Sequence, residues 1–316
     1  MTKFRYLKPA GKAIFKDRYT KKAKELLTEW STGKTASFGI VGLPLSKPSI
    51  SHSGAATAPS TIRDSLQSYT VYSGEQTFDL EEEIIDFGDI EMHPTDITGS
   101  QERIYLGLSD IFKTDAAKNW FLLGGDHSVT YSAIKACKEQ FGSVGIIQFD
   151  AHHDLRNTED GGPTNGTPFR RLLENGVISG EDLVQIGIRD FTNAAGYHNY
   201  AVENGVTVYT MKDVRGQGLN TILTSELEKL SSRVEHIYLS VDMDVLDQAF
   251  APGCPAIGPG GMDSSTLLEG INLASQHQSV KALDIVEIDP TIDFRNMTSR
   301  VAAYVLLEYM KGKRSA

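Results

Sequence analysis

Two stretches far apart in this chain, Asp150-Ala-His-His-Asp154 and Ser240-Val-Asp-Met-Asp-Val-Leu-Asp247, set carboxylates and imidazoles at every second position. A β-strand has a side-chain period of two, so Asp150, His152 and Asp154 are expected on one face of a strand or its frayed end, and Asp242 and Asp244 on one face of another. Four acidic groups on shared faces repel one another unless a cation sits between them. With His127 of Gly124-Gly-Asp-His127 added, the candidate ligands are His127, Asp150, His152, Asp154, Asp242 and Asp244. Oxygen-dominated ligation with some imidazole suits Mn²⁺ better than a thiolate-rich zinc site would, with Zn²⁺ and Fe²⁺ as the other options. Six protein ligands are too many for one catalytic ion that must keep a water. They suit two ions about 3.5–4 Å apart that acidify a shared water, and the reaction class is then metal-assisted hydrolysis. Of the two adjacent imidazoles, His152 is chosen over His153 because it has the parity of Asp150 and Asp154. Asp247 is expected to orient a ligand or cap its loop.

Elements that could position these groups recur along the chain. Short apolar or β-branched runs predict strands at 37–41, 120–123, 144–149, 183–188, 206–210, 236–241 and 280–287. Helical patterns lie between them at 20–31, 58–66, 129–140, 219–232 and 264–276. Strands alternating with helices imply βαβ units and a mainly parallel sheet with helices on both faces. In such open sheets ligands bind outside the carboxyl ends of the strands, where both acidic motifs, Gly-Gly-Asp-His and Ile285-Val-Glu-Ile-Asp-Pro290 fall. No Pro/Ser/Gly-rich linker or internal repeat divides residues 1–316, which points to a single domain.

The composition excludes several function classes. Hydrophobic residues make up 40% and charged residues 23%, ordinary for a globular chain. The net charge of −10 argues against non-specific nucleic-acid binding, which needs a basic surface. No apolar run approaches the roughly 18 residues of a membrane span. Residues 1–19 carry scattered charges and no apolar signal core. Cys137 and Cys254, in no C-x-x-C spacing, fit a reducing cytoplasmic setting, and neither has an assigned role. No G-x-x-x-x-G-K-[ST] phosphate cradle accompanies the Asp pairs, against a phosphoryl-transfer enzyme.

Gly124-Gly-Asp-His-Ser128, Asp150-Ala-His-His-Asp154 and Ser240-Val-Asp-Met-Asp-Val-Leu-Asp247 together resemble, in order, the three signature motifs of the ureohydrolases, the arginase and agmatinase superfamily. Gly54-Ala-Ala-Thr-Ala-Pro-Ser-Thr-Ile-Arg63 resembles its N-terminal segment. The resemblance implies an α/β, three-layer α/β/α sandwich and two Mn²⁺ per subunit. One ion would be held by His127, Asp150, Asp154 and Asp242, and the other by His152, Asp150, Asp242 and Asp244. It also implies a homo-oligomer. Within the superfamily the chain looks most like the formimidoylglutamase branch of histidine degradation. The pointers are Asp154-Leu-Arg-Asn157, Asn165-Gly-Thr-Pro-Phe-Arg170, the segment from Pro44 to His52, and that from Asp284 to Arg295. Arginases carry a His where this chain has Asn165, and an Asn where it has Arg156. The usual Asp-Pro is replaced by Asp247-Gln248.

The resemblance implies hydrolysis of a small-molecule amidine, N-formimidoyl-L-glutamate. Glu287 matches the family Glu that contacts a guanidinium and would hold the amidinium. Asp154 would take and return the proton. The planar fork of Arg156 suits a substrate carboxylate, and Asn165, Arg189 and Asn193 are further candidates for substrate contacts. The competing readings are another amidino hydrolase (agmatinase, guanidinobutyrase or arginase), a non-catalytic metal-binding protein of the same fold, and a deacetylase with a single zinc.

Overall fold

The β-branched and apolar runs, those at 144–149 and 183–188 buried along their whole length, become strands, most of them joined in one sheet. They are β1 Leu27–Glu29, β2 Ala36–Leu43, β3 Tyr72–Ser73, β4 Phe78–Asp79, β5 Ile84–Asp89, β6 Ala117–Gly124, β7 Val144–Phe149, β8 Leu183–Ile188, β9 Thr207–Thr210, β10 His236–Asp242 and β11 Val280–Val286. The helices are α1 Ala58–Ser65, α2 Ile97–Phe112, α3 Val129–Phe141, α4 Pro168–Glu174, α5 Ala195–Glu203, α6 Met211–Gln217, α7 Leu219–Ser231, α8 Ser264–Gln276 and α9 Met297–Arg314. This computed structural model describes residues 17–51 and 53–315. Most of the segment read as lacking a signal core, and His52, lie outside the described residues.

Nine strands pair in the order β1-β5-β2-β6-β11-β10-β7-β8-β9, every pair parallel, while β3 and β4 form a separate antiparallel hairpin. A parallel sheet needs a crossover after each strand, so helices cover both faces and strand residues are buried on each. Alternate residues of β6 show the two layers. Phe121 and Leu123 join a core with Ile62 of α1, Leu223 of α7, Ile271 of α8 and Leu306 of α9. Trp120 and Leu122 join another with Leu108 of α2 and Ile134 of α3. The expected three-layer α/β/α sandwich is the observed fold.

The helix expected at 20–31 is not formed. Ala23–Leu26 make one short 3-10 turn, and β1 then pairs with β5 as the edge strand, Leu27 opposite Ile84. Local periodicity there is overridden by an open sheet edge. Three elements carry weak sequence signals. β5 buries only Ile84 and Ile85 before Asp86, Gly88 and Asp89 break the alternation. α2 and α9 dilute their apolar faces with Gly, Ser and Thr.

The centre of the sheet, β6-β11-β10-β7, ends its four strands side by side. The chain leaves β6 through Gly124 and Gly125, where it crosses the segment after β2. A Cβ at Gly125 would lie 1.9 Å from the carbonyl oxygen of Leu45. That same oxygen accepts the N–H of Asp126 at 2.7 Å, and the carbonyl of Gly125 accepts the N–H of Glu287 at 2.9 Å. The glycine thus lets three chain segments meet at the point where His127 begins. Gly125→Ala is expected to destabilise the fold by about 1–3 kcal/mol through overpacking and to lower activity by displacing His127. Urea unfolding checks it, and a midpoint equal to wild type would show that the close approach is not needed.

Candidate metal centre

Each central strand ends by delivering one polar group to the same place. β6 leads to His127, β7 to Asp150, β10 ends on Asp242, and β11 is followed by Glu287. The groups after β7 and β10 are gathered by turns. β7 stops at Phe149, and Asp150 folds back so that its Oδ1 accepts the N–H of His152 at 2.6 Å. Asp242 caps the 3-10 turn Met243–Val245, accepting the N–H of Asp244 at 2.9 Å. The alternation of acids and imidazoles therefore survives while the element differs: only Asp242 lies within a strand. Asp154 is placed by a left-handed backbone, φ 51°, and Glu287 by another, φ 60°. Such conformations cost about 1–3 kcal/mol each and persist where the surroundings fix them.

Ligand atoms of His127, Asp150, Asp154 and Asp242 lie within 4.8 Å of one another, and so do those of Asp150, His152 and Asp244. Asp150 belongs to both groups; Asp242 is in the first. His127 Nδ1 lies 3.2 Å from Asp150 Oδ2, 2.9 Å from Asp154 Oδ2 and 3.1 Å from Asp242 Oδ2. His152 Nδ1 lies 3.0 Å from Asp244 Oδ2 and 3.5 Å from Asp150 Oδ1. These groups are buried, except that His152 and Asp154 retain some exposure.

The proton affinities show what the cluster lacks. Burial, then the charges of Asp244 and Asp150, push Asp242 well above the usual carboxylate range. Burial, with Asp150 beside it, raises Asp154 to about 6. Burial works against a charged imidazole at His127, yet its contacts to Asp150, Asp154 and Asp242 raise it well above its ordinary value. His152 is raised to about 12, chiefly by Asp244 and Asp150 against the burial cost. Protons collect where positive charge is missing, and a divalent cation satisfies the same need at neutral pH.

A buried relay sets which nitrogen of His127 faces that charge. Asp284, buried in β11, accepts hydrogen bonds from Thr130 Oγ1 at 2.6 Å, Tyr238 OH at 2.8 Å and Ser240 Oγ at 2.8 Å. Ser240 Oγ also meets His127 Nε2 at 2.9 Å. Having given its one proton to Asp284, Ser240 accepts from Nε2–H. Nδ1 is thus the nitrogen that faces the carboxylates, free to offer its lone pair once a cation displaces its proton, and it has no aligned hydrogen-bond partner. Four converging lone-pair donors, three of them carboxylate, fit a hard-to-borderline divalent ion, and a partner on the far ring nitrogen is the usual support of a ligating His.

A second relay reaches Asp150. His153 Nδ1 meets Gln185 Oε1 at 2.6 Å, Gln185 Nε2 donates to Gln148 Oε1 at 2.7 Å, and Gln148 Nε2 donates to Asp150 Oδ2 at 2.7 Å. His153 thus points away from the cluster, as its parity indicates. Neither relay was singled out by motif spacing. A lone acid in the apolar run of β11 and two glutamines in the runs of β7 and β8 were the available signals, because buried polar groups need partners.

The cluster opens into a cleft of about 330 Å³ lined by Arg156, Asn165, Asn193, Tyr197 and Glu287 among others. Glu287 Oε1 accepts the N–H of His127 at 2.8 Å and Asn165 Nδ2 at 3.1 Å. Burial, then Asp126, raises Glu287 to about 8. Asn165 also accepts Ile50 N–H at 3.0 Å, so it ties Glu287 to the cleft rim. Asn193 lines the cleft with its amide committed to His153 N, Ala151 O and Thr192 Oγ1. Arg156 is exposed in the cleft and has no carboxylate within 4.0 Å among the described residues. Arg189 does not line this cleft: it is buried behind it, donating Nη2 to the main-chain oxygen of Asp244. Asp247 caps its loop, accepting the N–H groups of Ala249 and Gly260.

The Arginase family model matches residues 36–311, and the chain belongs to that family. It is 56% identical over 304 residues to the formimidoylglutamase of Halalkalibacterium halodurans, covering 95% of each chain. The crystal structure of formimidoylglutamase from Bacillus subtilis superposes with a TM-score of 0.92 at 47% identity, covering 97% of this chain and 96% of that one. Trypanosoma cruzi formiminoglutamase, described with Mn²⁺, shares the fold at a TM-score of 0.84 and 23% identity.

Ser240→Ala and Asp284→Asn should each weaken Mn²⁺ affinity by about 10–100-fold, the usual effect of removing the support of a ligating His, with little change in the fold. Metal titration followed by calorimetry checks this, and unchanged affinity in both would remove the relay from the metal site. Because a cation must displace protons, affinity should also fall as pH drops through about 6, where Asp154 takes one up; an affinity flat from pH 5 to 8 would contradict it.

Proposed function

We propose that this chain hydrolyses N-formimidoyl-L-glutamate to L-glutamate and formamide, a step of histidine degradation, with two Mn²⁺ held by the buried cluster. The observation that carries the choice of substrate is Arg156, an unpaired guanidinium and the cleft's one Arg or Lys side chain among the described residues. It stands beside a relative 56% identical that has this activity by name. His127, Asp150, Asp154 and Asp242 would hold one ion, and Asp150, His152 and Asp244 the other, with Asp150 shared. Such a pair supplies Lewis acidity and an acidified water at neutral pH.

The chain's own groups do the rest. Glu287 faces the cleft with Oε1 fixed by His127 N–H and Asn165, which leaves Oε2 to pair with the substrate amidinium. That pairing holds the formimidoyl carbon against the acidic cluster. Asp154, at the rim of the cluster, takes the proton of the attacking water and returns it to the departing nitrogen of glutamate as the C–N bond breaks. Arg156 holds a carboxylate of the glutamate portion. Its main-chain N–H donates to Gly166 O at 2.9 Å, and its guanidinium lies over the Tyr197 ring at 5.6 Å. Asn193 and Arg189 serve the loops behind the cluster, so their influence on substrate is indirect. The chain is proposed to work in the cytoplasm as a single-domain subunit of a homo-oligomer; no described helix is long and apolar enough to cross a membrane.

Hydrolysis assays with added Mn²⁺ on formimidoylglutamate, arginine, agmatine and guanidinobutyrate test the substrate. Turnover of formimidoylglutamate above the others is expected, and preference for agmatine, which has no carboxylate, would overturn the choice. Arg156→Ala should raise KM by about 10–100-fold, the worth of a hydrogen bond to a charged group, and leave kcat nearly unchanged; an unaltered KM removes Arg156 from the substrate site. Asp150→Ala should lose bound Mn²⁺ and activity together, and full activity of a metal-free preparation would end the metal scheme.

A further inference from the structure

A second concentration of charge lies behind the cleft, and it is positive. Arg189 follows β8 and is only 7% exposed. Its Nη2 is committed to the carbonyl of Asp244, but Nε and Nη1 have no hydrogen-bond partner. No carboxylate lies within 4.0 Å of it among the described residues. Asp247, which feels the Arg189 charge, turns its oxygens instead to the N–H groups of Ala249 at 3.0 Å and Gly260 at 2.7 Å. A buried cation without a close counter-charge is costly, and proteins retain one where a counter-charge is supplied.

Arg189 lines a cavity of about 630 Å³ bounded by the end of β8, α6 and the loop 257–260. Lys212 and Arg215 of α6 line it as well, against one acid, Asp190. The hydroxyls in its wall are spent: Thr192 donates to Ala151 and Arg189 carbonyls, and Thr210 to Asp213. Gly258 stands beside the guanidinium, where a Cβ would lie 2.8 Å from Nη1. The missing side chain keeps the approach to that nitrogen open. Three cations facing one carboxylate, in a chain of net charge −10, make this a local attraction for anions.

We propose that this cavity binds a small oxyanion, with Arg189 Nε and Nη1 as the inner donors and Lys212 and Arg215 supplying charge at the mouth. The site is distinct from the substrate cleft, with which it shares only Thr192. Its occupant fixes the guanidinium whose Nη2 donates to the main-chain carbonyl of Asp244, the residue whose side chain belongs to the acidic cluster.

Sulfate is the probe, added at millimolar concentration to the full chain with Mn²⁺ present, with chloride at matched ionic strength as the control and the thermal midpoint as the readout. A saturable rise with sulfate but not chloride is expected. It should be lost in Arg189→Gln and in the double variant Lys212→Ala/Arg215→Ala, whose exposed side chains leave the fold intact, and retained in Arg156→Ala. No saturable rise in the wild type, or an equal rise in the double variant, overturns the proposal. Loss of the rise in Arg156→Ala alone also overturns it, because the sulfate then occupies the substrate cleft.

Discussion

Like charges brought together out of water set the terms for everything else in this structure. Asp150, Asp154, Asp242 and Asp244 converge with two imidazoles in a space that protein side chains do not neutralise. At separations of a few ångströms such repulsion is severe unless a positive charge intervenes. The raised proton affinities of Asp242, His127 and His152 express that demand. The sheet meets it by geometry: parallel strands end on one side, and β6, β11, β10 and β7 are the four at its centre. Left-handed backbone at Asp154 and Glu287, and the glycine crossing at Leu45, are the local costs of drawing the last groups in.

Much of this was legible in the amino-acid order. Alternation identified five of the six cluster residues and selected His152 over His153, the Gly-Gly-Asp-His segment supplied His127, and turns rather than strands gather most of them. Parity worked because a tight turn capped by Asp150 or Asp242 returns every second residue to the same side. A mainly parallel sheet with helices on both faces followed from strands alternating with helices, and the family resemblance implied the three-layer sandwich. The N-terminal helix expected at 20–31 failed because an open sheet edge outweighs weak local periodicity. The supporting relays through Ser240–Asp284 and through Gln148–Gln185–His153 stayed hidden, since a buried polar residue reveals that it has a partner but not which one. Arg189 shows the same limit: its type suggested a substrate contact, whereas it lies outside the cleft and donates to the main chain of Asp244; Asn193 does line the cleft, with its amide tied to neighbouring loop atoms.

Substrate choice rests on a thinner layer than metal chemistry. The cluster and Glu287 suit any amidine or guanidine. In the proposed scheme discrimination falls to Arg156, aligned by the Gly166 carbonyl and the Tyr197 ring, where a Cβ at Gly166 would lie 2.7 Å from Arg156 Cδ. One loop arginine on a shared catalytic floor is an economical way for a family to change which tail it accepts, because the charges that perform hydrolysis stay untouched.

The order of the strands has a consequence for how the molecule comes into being. Neighbours β6 and β11 come from distant parts of the chain, as do β7 and β10. The cluster residues span positions 127–244, so no short fragment carries the full set, and the ends of β6, β7 and β10 must come together before the cluster exists. Such nonlocal pairing is slow to form. Metal capture by this cluster would therefore come late in maturation and add its binding free energy to the native state alone. An ion bound there would act as an inspection step on folding.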